Sequence, residues 1–266
     1  MTQYERHRKK IEPPQEAEVV KKLTERLLGQ SLVALYLYGS AIFGRLGKFS
    51  DLDFLAIVKD DIPSSVIEDM SRFLMEISGQ IGNPEGKRPL ELIVVKYSDI
   101  TPWLYPPKSI YQYGEPLRKN FEAGWRPKTQ DDPDLTVILC QTREWSLTLI
   151  GPDADKILPS IPKEDLREAI RQCLPGVLNH LKGQEPNSLL TLARMWATVE
   201  TGRFYTKEEA AKWARERLSQ EQGHLLYLAQ LAYRGEREDD WSKIYEQSNI
   251  LAQILSKKIF SQSCPR

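Results

Sequence analysis

Three cysteines in 266 residues, Cys140, Cys173 and Cys264, are too few and too widely spaced for a disulfide framework or a thiolate metal site. Histidine is equally sparse, and none of His7, His180 and His224 has a partner ligand one helical turn away, so imidazole metal chemistry is not expected. No apolar run approaches the ~20 residues of a membrane-spanning helix. Residues 1–10 are polar and basic, without the hydrophobic segment of a secretory signal. Neither charge is in excess, with 37 Lys and Arg against 37 Asp and Glu, so the basic surface of a nucleic-acid-binding protein is missing. The expectation is a cytoplasmic, soluble monomer with no membrane or nucleic-acid partner, and with residues 1–14 as a disordered tail.

What is present is enough apolar sequence, 41%, for two domains that each bury a core. From Glu16 to Leu28 the apolar positions recur at helical spacing and Gly29 supplies a stop. Residues 32–38 (LVALYLY), 51–58 (DLDFLAIV) and 90–95 (LELIVV) read as buried strands, with a helix between Pro63 and Ile77. The proline-rich stretch 101–134 reads as surface loops with a short helix around 107–113, and 134–150 as helix. The segment GPDADKILPSIP reads as a hinge, which places a domain boundary near 157. Beyond it the pattern predicts helices at 163–182, kinked at Pro175, and at 188–201, 206–218, 222–234 and 240–260. Thr206 and Glu209 have the spacing of a capping box. The predicted fold class is α+β, a sheet domain at 1–157 followed by an all-α bundle at 158–266.

The chemistry concentrates in residues 38–95. Gly39 and Ser40 end a strand and open a stretch compatible with a helix, a turn whose backbone N–H groups and hydroxyl suit a phosphate. Asp51 and Asp53 follow after ten residues, and period-two alternation sends both carboxylates to one face while Leu52 and Phe54 point inward. Two such acids repel unless a divalent cation joins them, and magnesium favours one or two carboxylates together with phosphate oxygens. Glu91 opens a later strand on the side of Ile93 and Val95, so three acids converge if that strand neighbours 51–58. The alternatives for Glu91 are a third metal ligand, or a salt bridge to Arg88 or Lys96.

Gly39-Ser40, Asp51-Leu52-Asp53 and Glu91 on a following strand resemble the signature of the nucleotidyltransferase superfamily, whose sheet domain is like that of DNA polymerase beta. Over roughly residues 20–240, LYLYGSAIFGRLGKFSDLDFLAIV, TPWLYPPK, TREWSLTLIGP and LLTLARMW...TGRFYTKEEAAKWARERL are similar to aminoglycoside 3''/9-adenylyltransferases. The resemblance implies an antibiotic-resistance enzyme that moves AMP from ATP to a drug hydroxyl and releases pyrophosphate. It implies magnesium, as two ions, on Asp51 and Asp53, the triphosphate along Gly39, Ser40 and Ser50, and Glu91 as general base close to the substrate. It places Arg194, Lys207 and Tyr233 among the nucleotide contacts.

In the resembled family, members that modify streptomycin as well as spectinomycin carry a tryptophan in a loop and an aspartate ahead of the TLARMW helix. This chain aligns Pro116 and Gln184 there, which implies a spectinomycin 9-adenylyltransferase rather than a dual 3''/9 enzyme. Glu185 would restore an acid under a one-residue shift. Asn187 is a candidate contact to the drug, or a cap of the helix that follows. The reading from a different class is a binding module that keeps the fold without turnover; loss of an Asp or of Gly-Ser would favour it, and all are present.

Overall fold

The computed structural model describes residues 12–43, 50–80, 86–237 and 240–261, so the expected disorder of residues 1–11 lies outside it. The chain divides into two compact units, Met1–Ile161 and Pro162–Arg266.

The first unit is built on a five-stranded mixed sheet, with strands β1 (Leu32–Tyr38), β2 (Leu52–Val58), β3 (Leu90–Lys96), β5 (Tyr111–Tyr113) and β7 (Leu147–Ile150). Their order across the sheet is β5-β3-β2-β1-β7. Only β2 and β3 run parallel; parallel neighbours need a crossover, and the helix Ser64–Ile77 supplies it. Both faces of the sheet are covered, which is why the strands read as nearly unbroken apolar runs. On one face Leu52, Phe54, Leu92 and Val94 pack with Val20, Leu23, Met70 and Leu74 from the helices Gln15–Leu28 and Ser64–Ile77. On the other, Tyr36, Tyr38, Leu55, Ile57, Ile93 and Val95 pack with Leu135 and Leu139 of the helix Pro133–Glu144.

Three sequence expectations are corrected here. The stretch 134–150 is not one helix: it ends at Glu144, and Leu147–Ile150 becomes an edge strand antiparallel to β1. Four apolar residues carry no period that separates strand from helix, so pairing decides. Residues 107–113 hold strands, not a helix: β4 (Lys108–Ser109) pairs with β6 (Gln130–Asp131), and the Tyr-rich β5 extends the main sheet. GPDADKILPSIP is no free hinge, because it carries the short helix Ala154–Ile157 and buries Ala154 and Leu158 against the sheet.

The second unit packs four helices, Lys163–Asn179, Lys207–Arg215, Gln220–Tyr233 and Tyr245–Ser261, around a central one, Glu185–Thr201. The central helix buries Leu189, Leu190, Leu192, Ala193, Trp196, Ala197 and Val199, and it starts earlier than its apolar pattern suggested. Pro175 sits inside a continuous helix. Both hydrogen bonds of the Thr206–Glu209 capping box are present, and Ser219 with Gln222 forms a second one.

Candidate active site

Asp53 and Glu91 are each the second residue of a strand and stand directly opposite one another in the parallel pair. Tyr38, the last residue of β1, stands opposite Asp53. Asp51, just ahead of β2, turns a third carboxylate to the same place: one oxygen from each of Asp51, Asp53 and Glu91 lies within 4.8 Å of the others. The neighbouring cations do not neutralise Glu91, since Lys96 Nζ donates to Asp61 Oδ1 at 2.7 Å and Arg88 Nη1 to the Ser50 carbonyl at 3.1 Å.

Crowding of like charges shows in the titration of the group. The Glu91 carboxyl is pushed up to about 8 by burial, then by the charges of Asp51, Asp134 and Asp132. Burial, followed by the charges of Glu91 and Asp53, also holds the Tyr38 phenol well above its ordinary value. Asp132 and Asp134 escape the local sequence pattern. Asp132 is the N-cap of the helix Pro133–Glu144, accepting the Leu135 N–H at 3.3 Å, and burial raises its carboxyl too. The Asp-Asp-Pro-Asp run announces a helix start, but nothing near it says that this helix covers the face of Glu91.

The turn at Gly39 is made for these acids. Gly39 has φ +71°, and a Cβ built there would lie 1.8 Å from Asp53 Oδ2, so only glycine lets the carboxylate approach the backbone. Among the described residues Ser40 Oγ is buried with no hydrogen-bond partner, a costly state for a hydroxyl that has nothing to bind. An unpartnered hydroxyl beside converging, mutually repelling carboxylates fits a divalent cation carrying a phosphate.

In the second unit, three of the expected site residues meet. Lys207 Nζ donates to Asn187 Oδ1 and lies 4.9 Å from the centroid of the Tyr233 ring. Asn187 does not cap its helix; that place belongs to Gln184, and the Asn187 amide faces Lys207 instead. Arg194, half-buried, is seven residues beyond Asn187 and so on the same side of the helix. Among the described residues Arg194 has no hydrogen-bond or ion-pair partner. Arg194→Met, which keeps the aliphatic stem, is expected to raise the nucleotide KM roughly tenfold or more, the worth of a charged hydrogen bond, while leaving the melting temperature unchanged. Steady-state kinetics with calorimetry checks both. A pocket of about 860 Å³ is bordered by Asn187 and Tyr233, with Gln184, Trp241 and Tyr245.

Pro116 is the middle residue of a short 3-10 turn, Glu115–Leu117. Glu185 is 4% exposed and its Oε1 accepts the Gly183 N–H at 2.9 Å. The acid beside Gln184 is therefore occupied with its own backbone turn.

A mixed sheet carrying a Gly-Ser turn, an Asp-x-Asp strand and a glutamate on the parallel neighbour defines a nucleotidyltransferase. The family model described as aminoglycoside adenylyltransferase, C-terminal domain, matches residues 156–258. A spectinomycin 9-adenylyltransferase of Staphylococcus aureus is 42% identical over 92% of this chain and 95% of its own length. An aminoglycoside (3'') (9) adenylyltransferase of Escherichia coli is 37% identical over 81% of this chain and 82% of its own. Among solved structures, a spectinomycin adenyltransferase of Enterococcus faecalis, determined with ATP and spectinomycin, superposes with a TM-score of 0.87 at 30% identity, covering 93% of this chain and 99% of that one. The chain belongs to the aminoglycoside adenylyltransferase family.

Among the described residues no helix is long and apolar enough to cross a membrane.

Proposed function

We propose that this protein is a magnesium-dependent spectinomycin 9-adenylyltransferase, moving AMP from ATP to the drug's 9-hydroxyl with release of pyrophosphate. The observation that carries the reading is the convergence of Asp51, Asp53 and Glu91 within 4.8 Å beneath the Gly39 turn, in a chain of this family. Asp51 and Asp53 would hold the magnesium, as two ions, whose charge neutralises the phosphate oxygens when bound. On the first unit Gly39, Ser40 and Ser50 would donate to the triphosphate; Arg194, Lys207 and Tyr233 are the nucleotide contacts proposed on the second unit. Glu91 takes the proton of the attacking hydroxyl; a carboxyl held up by burial is a stronger base than a solvated one once neighbouring charge is balanced. Asn187 is a drug contact. The first unit thus carries transfer chemistry, and the second, from about 158 onward, carries nucleotide and drug recognition.

Spectinomycin alone, rather than streptomycin as well, is supported by Pro116 and Gln184 at the positions that distinguish the dual enzymes, and by the commitment of Glu185 to Gly183. A flat aromatic face and a free carboxylate suit a larger guanidinium-bearing drug, and the chain offers neither there. Expression in a susceptible bacterium is expected to protect against spectinomycin and not against streptomycin. Protection against both would make the enzyme dual, and protection against neither would favour a silent binding module.

A further inference from the structure

A buried polar cluster that the transfer chemistry does not use lies one residue upstream of Glu91. Its centre is Glu115, whose side chain is 3% exposed. Its carboxylate accepts from Ser78 Oγ, from the Tyr113 hydroxyl at 2.9 Å, and from Arg118 through Nε at 2.7 Å and Nη2 at 2.9 Å. Arg118 Nη2 also donates to the carbonyls of Met75 at 2.8 Å and Ser78 at 3.1 Å. The buried charge is paired and richly bonded, the condition under which such a network rigidifies its surroundings.

The network borders Glu91 at two places. Ser78 Oγ accepts the backbone N–H of Leu90 at 2.9 Å, fixing the chain as it enters Glu91. Gly114, held between Tyr113 and Glu115, lies along the stem of Glu91: a Cβ added there would come within 3.8 Å of Glu91 Cγ. Glu91 needs such support. Its carboxylate is within 4.8 Å of two others, so its place in the site depends on what fixes its backbone and stem. Ordinary core packing would not require a buried carboxylate with a partly exposed arginine partner at this point, since apolar residues of similar volume fill such space without a desolvation cost.

We propose that Glu115 is a positioning residue: through Ser78 and Gly114 it fixes the backbone and stem of Glu91 beside Asp51 and Asp53, in place to take the proton of the acceptor hydroxyl. This rests on the reading of Glu91 as the general base. A misplacement of about 1 Å at a reacting group costs on the order of a hundredfold in rate, so the effect of losing the support falls on turnover and not on substrate binding.

The test compares Ser78→Ala and Glu115→Gln with the parent enzyme, using ATP, magnesium and spectinomycin on protein shown by its melting curve to be folded at the assay temperature. Both variants are expected to lose roughly 10- to 100-fold in kcat while the KM values for ATP and drug stay within about twofold. Set in a Glu91→Asp background, whose carboxylate is already displaced, Ser78→Ala is expected to cost less than about threefold, the non-additivity of residues acting through one group. If Glu115→Gln fails to accumulate as folded protein, Ser78→Ala, which removes a single hydroxyl, decides alone. A wild-type kcat in folded Ser78→Ala, a rise in both KM values with kcat intact, or full additivity with Glu91→Asp overturns the proposal. Failure of the base reading has a different signature: Glu91→Gln would itself turn over normally.

Discussion

Glu91→Gln is expected to abolish adenylyl transfer, lowering kcat about 10²- to 10⁴-fold, and at the same time to stabilise the metal-free protein above neutral pH. The two effects have one cause. In the unfolded chain the Glu91 carboxyl ionises near 4.5, whereas in the folded protein it keeps its proton up to about 8. Between those values the folded state binds the additional proton, so the stability due to this group falls as pH rises from 4.5 and is fully lost above 8. Glutamine has the same shape and no charge, and removes that loss. At pH 8 without divalent metal the variant should be more stable by ~2–4 kcal/mol, a rise of roughly 4–8 °C in melting temperature. Magnesium should then raise the melting temperature of the parent more than that of the variant, because the parent has more repulsion to relieve. A variant that loses activity and stability together would mean that Glu91 holds the fold rather than the chemistry.

Gly39→Ala is expected to disable the metal site with a single methyl. Its Cβ would sit 1.8 Å from Asp53 Oδ2, so the carboxylate must leave its place beside Asp51, in addition to the ~1–2 kcal/mol that an L-residue loses at positive φ. Metal-supported ATP binding should weaken at least about a hundredfold, close to what Asp53→Asn does by removing the charge. Gly29→Ala is the control: Gly29 also has positive φ, +52°, but a Cβ there meets nothing within 4 Å. It should share the backbone strain and keep full nucleotide affinity. Equal losses of affinity in the two variants would show that strain, and not contact with Asp53, is what Gly39 avoids.

How much of this was legible depends on how local each signal is. The strands carrying Tyr38, Asp53 and Glu91 are apolar runs long enough to read directly, and alternation then assigns their faces. Whether the acids meet is a question of strand order, which the spacing leaves open and the parallel β2–β3 register answers. Strand β7 was read as helix because Leu147–Ile150 has no intrinsic period and owes its form to the free edge of β1. Asp132 and Asp134 join the electrostatics of Glu91 only because their helix lies on that face. The network around Glu115 draws on a helix end, two strands and a turn, with Ser78 and Glu115 37 positions apart. No short-range pattern could assemble it. The contact of Lys207 with Asn187 and Tyr233 is likewise a product of packing between helices, although each residue had been singled out by resemblance.

The most direct test of the central claim is product mass spectrometry on the purified protein with ATP, magnesium and either spectinomycin or streptomycin. The account predicts spectinomycin carrying one added AMP, pyrophosphate in equal amount, unmodified streptomycin, and no product when the metal is chelated. Spectinomycin recovered unchanged, or adenylylated just as fast without metal, would contradict it.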